Sequence, residues 1–110
     1  MVRGFVQKAL QRLGYLVHVR ADSRQAIEFG QAHDGPLHAI VTDVVLPDMN
    51  GREMAAHVRQ DHPEAKVLFM SGYTDDAIVR HGVLEPGTWF LQKPFTADRL
   101  ARKLREVFTT

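Results

Sequence analysis

The sequence predicts a three-layer α/β fold, a parallel sheet with helices on both faces. Short apolar runs alternate along the chain with segments of helical periodicity. The run Leu37 to Thr42 has the continuous apolar character of a strand covered on both sides. Three of the runs end in a polar residue, Asp43, Ser71 and Lys93. In open α/β sheets, sites collect at the carboxyl ends of strands.

The elements follow in order. Val2, Phe5, Val6, Ala9, Leu10 and Leu13 recur at helical spacing, and Gly14 supplies a stop. Tyr15 to Val19 reads as a strand. Ser23 is expected to cap a helix running to about His33. Gly35-Pro36 is a turn, and Leu37 to Thr42 a buried strand that delivers Asp43. Asn50 with Glu53 forms a capping-box pattern, and Met54, Ala55 and Val58 form the buried stripe of the next helix. Val67 to Met70 is a strand. Thr74 caps a short helix whose first turn carries Asp75 and Asp76, suited to the helix dipole. Glu85-Pro86-Gly87 turns into the strand Trp89 to Leu91. Thr96 caps the last helix, with Leu100, Leu104, Val107 and Phe108 on one face.

Bulk properties narrow the function. At 110 residues the chain is expected to be one domain, 1–110. The net charge is +1 and the basic residues are scattered, so nucleic-acid binding is not expected. The absence of cysteine fits a reducing, cytoplasmic setting. No apolar stretch is long enough to span a membrane, and no membrane contact is expected. The six histidines form no H-x-H or H-E-x-x-H pattern, and the glycines form no phosphate-binding loop.

Asp43, Ser71 and Lys93 at three strand tips could converge on one phosphoryl group. An aspartate carboxylate can attack phosphorus. Phosphoryl transfer is mostly positioning and charge neutralisation, so a nearby amine is useful. Each residue also has a plainer reading: a turn aspartate, a strand-end hydroxyl, a solvated lysine before a proline. Their co-occurrence at three tips favours a site. An aspartate-nucleophile phosphatase of the haloacid dehalogenase type needs a second acid two residues after the nucleophile. That position is Val45, which argues against turnover, and no enzyme activity is expected.

With these motifs the chain resembles a response-regulator receiver domain. The resemblance rests on Thr42-Asp43 with Pro47 and Gly51, on Met70-Ser71-Gly72-Tyr73, and on Gln92-Lys93-Pro94-Phe95. It is most like the C-terminal receivers of hybrid sensor histidine kinases. It implies a flavodoxin-like fold with strand order 2-1-3-4-5. Asp43 would take a phosphoryl group from a histidine kinase or histidine phosphotransfer protein. Ser71 would be the switch hydroxyl and Phe90 the switch aromatic. Lys93 would pair with the phosphoryl oxygens, across a cis bond to Pro94. Asp43 and the Val45 carbonyl would bind Mg²⁺.

One departure is marked. A receiver opens with a strand that ends in a pair of acids, whereas Met1-Val2-Arg3 already reads as helix. No Asp or Glu precedes Asp22. The first strand and the acidic pair are therefore expected to be missing, with Mg²⁺ weak or absent. A pseudo-receiver that binds partners without taking phosphate is the alternative. An empty central strand position predicts either that the neighbouring strands close up or, preferred here, that a second copy pairs across the gap as a homodimer.

Overall fold

The computed structural model describes residues 2–71 and 88–109. Among them, three strands form one parallel sheet in the order β1 (Ala39–Asp43), β2 (Lys66–Ser71), β3 (Thr88–Gln92). The helices are α1 (Val2–Arg12), α2 (Ser23–Ala32), α3 (Gly51–Asp61) and α4 (Ala97–Thr109). The expected Thr74-capped helix and the Glu85-Pro86-Gly87 turn lie outside the described residues.

Two cores sit on opposite faces of β2, because successive side chains of a strand point to opposite sides. Leu68 and Met70 pack with Val6, Ala9 and Leu10 of α1 and with Leu100 and Leu104 of α4. Val67 and Phe69 pack with Val44 and with Ala55 of α3. The three-layer arrangement thus follows from a strand whose inner positions are all apolar. Full burial of a side chain such as Leu68 or Leu100 contributes roughly 1.5–3 kcal/mol. Helix α2 packs on α3, where Gly30 lies against Val58 closely enough to leave little room for a side chain.

The helix ends have clear local causes. Gly14 takes φ 92° after α1. The Tyr15 amide then bonds to the Leu10 carbonyl and the Gly14 amide to that of Gln11, the paired bonds of a Schellman stop. Asn50 accepts from the Glu53 amide at 2.8 Å, and Thr96 accepts from the Arg99 amide at 3.2 Å, so both expected caps form. The α2 cap is one residue earlier than expected. Asp22 accepts from the Gln25 amide at 2.8 Å, and Ser23 is buried as the first helical residue. Lys66 closes α4 by donating from Nζ to the Val107 carbonyl at 2.9 Å.

The expected strand at Tyr15–Val19 is not part of the sheet. Val17 packs toward the α1/α4 core, while His18 beside it lies tilted against Phe29 of α2 with ring centroids 4.7 Å apart. What it lacks is a ladder, since no strand lies beside it among the described residues. The neighbouring strands have therefore not closed up, and among the described residues the outer edge of β1 carries no ladder either.

Candidate functional site

Asp43 ends β1 opposite Met70, and Met70 pairs in turn with Leu91 of β3. Lys93 follows β3 by one residue. The two outer strands are two strand spacings apart, roughly 9.5 Å. The lysine and aspartate side chains bridge that distance from opposite sides. Its Nζ stands 2.5 Å from Asp43 Oδ1. The approach lies off the line of a hydrogen bond, and Oδ1 has no other donor among the described residues, so the contact is ionic. The bond between Lys93 and Pro94 is cis, as the resemblance implies.

The side chains of Asp43 and Lys93 are 37% and 29% exposed. An ion pair so close to solvent adds at most about 1 kcal/mol to stability. Folding energy is a weak reason to place an acid and an amine there, and access for a reactant is a better one. Ser71 closes β2 in register with Gln92, between the two charged residues. Phe90 stacks on Phe69 with centroids 5.3 Å apart and packs toward the α3 core.

The loop after Asp43 is tightly bonded. The Val44 amide donates to the Met70 carbonyl at 3.1 Å, extending the ladder past the acid. Val45 bridges to Asn50, Leu46 bonds to Met49, and the Gly51 amide donates to the Val44 carbonyl at 2.7 Å. The buried Thr42 hydroxyl donates to the Asp43 carbonyl at 3.0 Å. In the same loop the Ser23 hydroxyl, followed by the amides of Asp48, Ser23 and Arg24, holds the Asp48 carboxyl below the ordinary aspartate value. Ser23 Oγ has no partner at hydrogen-bonding distance among the described residues, so its effect on Asp48 is a longer-range one. Sequence reasoning passed over Thr42 as a donor, which has no signal in one sequence beyond its place beside Asp43.

The residues present fit a dication poorly. No three His, Asp or Glu side chains converge on one point among the described residues. Magnesium is usually bound through one or two carboxylates with several waters in octahedral geometry. Here a lone carboxylate already faces an ammonium group. Val45, two residues past Asp43, is 51% exposed and apolar, so it cannot serve as a general acid.

The parallel sheet, its two helical faces and an acid–amine pair at the strand tips define the class. The chain belongs to the response regulator receiver domain family, whose model matches residues 1–105. These are the phosphoryl-accepting modules of two-component signal transduction, and the family generally binds Mg²⁺. The chain is 37% identical over 100 residues to the sensor kinase CckA of Brucella abortus (strain 2308), covering 91% of this chain and 11% of that protein. It therefore spans only about a tenth of that relative's length. To the response regulator receiver protein CpdR of the same organism it is 27% identical over 106 residues, covering 96% of this chain and 87% of that one. The structure of the Vibrio cholerae chemotaxis protein CheY4 superposes with a TM-score of 0.81 at 30% identity, covering 96% of this chain and 88% of that one.

Proposed function

We propose that Asp43 is the phosphoacceptor of a single receiver domain spanning 1–110. The observation that carries this is the Lys93 ammonium 2.5 Å from the Asp43 carboxylate at the rim of the sheet. A carboxylate oxygen of Asp43 attacks the phosphorus of a phosphohistidine on a histidine kinase or phosphotransfer protein. The P–N bond breaks, the imidazole leaves with the bond pair and takes a proton, and an acyl phosphate remains. Two unit charges about 4 Å apart interact by roughly 4 kcal/mol at an effective dielectric of 20. Lys93 supplies attraction of that order to the added phosphoryl oxygens. Ser71 is the switch hydroxyl and Phe90 the aromatic that follows it. The domain works in the cytoplasm as a switch and not as an independent catalyst.

Mg²⁺ binds weakly through Asp43 and the Val45 carbonyl. Two copies pair across the open edge of β1. Among the described residues no helix is long and apolar enough to cross a membrane, and the charge distribution offers nothing to nucleic acid.

Acetyl phosphate with excess Mg²⁺, read by intact mass, tests the central claim. The expected result is one phosphoryl group on the chain and none on Asp43→Asn. No uptake by the unsubstituted chain would leave a partner-binding pseudo-receiver as the reading. Light scattering and Mg²⁺ titration test the other two claims. A monomer that binds Mg²⁺ tightly would refute both.

A further inference from the structure

The first residue of α3 stands directly against the main chain of Asp43. A Cβ built on Gly51 would overlap the Asp43 carbonyl oxygen and lie 3.3 Å from Thr42 Cγ2. The first obstacle is backbone, which cannot swing aside as the end of a side chain can. Both parties are anchored. Asp43 and Val44 are held in the ladder to β2. Helix α3 is held by buried Met54, Ala55 and Val58 and by its Asn50 cap.

We propose that Gly51 is a positioning residue for Asp43. Its missing side chain lets the loop 44–50 close on itself through the Gly51–Val44 bond. That closure pins the carbonyl of Asp43 between the Thr42 hydroxyl and α3. The carboxylate leaves the same Cα, so its aim at Lys93 depends on where this peptide sits. The same loop carries Val45. An added methyl at residue 51 must displace either the Asp43–Val44 peptide or the start of α3, and each moves the acid relative to the amine. The inference rests on the reading of Asp43 as phosphoacceptor.

The test compares Gly51→Ala with Val58→Ala, a buried change on the same helix seven residues on, roughly 10 Å along its axis. Phosphoryl uptake from acetyl phosphate is followed by intact mass, stability by urea midpoint, and geometry by the amide resonances of Asp43, Val44 and Lys93. A misplacement of about 1 Å can cost about a hundredfold in rate, so Gly51→Ala is expected to slow uptake by about tenfold or more. Val58→Ala is expected to keep the rate and the three resonances while lowering the midpoint. Wild-type rate and resonances in Gly51→Ala overturn the proposal. So does an equal slowing in Val58→Ala, because the role would then be stability alone. If the unsubstituted chain takes up no phosphoryl group, the phosphoacceptor reading fails, and the resonances still decide the positioning claim. Should Gly51→Ala not fold, Thr42→Val probes the same carbonyl from its other side. Slower uptake or moved resonances at Asp43 and Lys93 support the proposal, and their constancy refutes it.

Discussion

The two edges of β1 are made by the same five residues, yet they live in different surroundings. Toward β2, Ala39 to Asp43 pair in unbroken register with Lys66 to Met70. On the other side no strand pairs with it among the described residues, and Tyr15 to Val19, the other segment that reads as a strand, has no ladder there. The contrast separates two things that sequence patterns blend. Side-chain alternation is local and shows which way residues face. Strand pairing is a relation between two segments and needs the second one to be there.

Amide exchange should show the largest difference between the two regions. Strands of a core exchange only through openings near the global stability, whereas loosely held segments exchange almost freely. Strand β2 lies between the other two, so the amides of Val67 to Met70 are expected to be slow and those of Leu16 to Val19 fast. Equal protection in both would mean that a strand fills the open side. Truncation sharpens the same contrast. Leu68→Ala, at a fully buried position, should cost about 2–5 kcal/mol in urea unfolding. Leu16→Ala, at 87% exposure, should stay within about 0.5 kcal/mol. A large loss at Leu16 would place that side chain in an interface.

Smaller effects come from the ends of the elements. Gly14→Ala puts a side chain into left-handed backbone and should cost about 1–2 kcal/mol. It also loosens the entry to Tyr15–Val19 while leaving β2 untouched, which exchange would report. The smallest effect is one of pH. Glu64 is held below its ordinary value first by its own amide, then by the Leu37 amide leading into β1 and by His62. A depressed carboxyl stabilises the fold above its unfolded value and loses that contribution as pH falls through the folded one. Stability should therefore decline on acidification below about the ordinary 4.5, and Glu64→Gln should flatten that part of the profile. An unchanged profile would show that the contact does not hold β1 in place.

Much of this molecule was legible in its residues. The apolar runs marked the three paired strands, Asn50 and Thr96 marked two helix starts, and Gly14 marked a helix end. Each of these rests on neighbours a few positions apart, where backbone sterics and local hydrogen bonds decide. Asp43 and Lys93 could be picked out because strand tips share one edge of a parallel sheet. Other features needed the fold. That Lys93 reaches the carboxylate across β2 depends on register. That Asp22 and not Ser23 caps α2 depends on Ser23 being buried. That Tyr15–Val19 stays out of the sheet depends on what stands beside it, and that Gly51 tolerates no side chain depends on where β1 ends against α3. These are distances between segments far apart in the chain. Sequence periodicity constrains which face a residue turns toward the core, and only packing determines what it meets there.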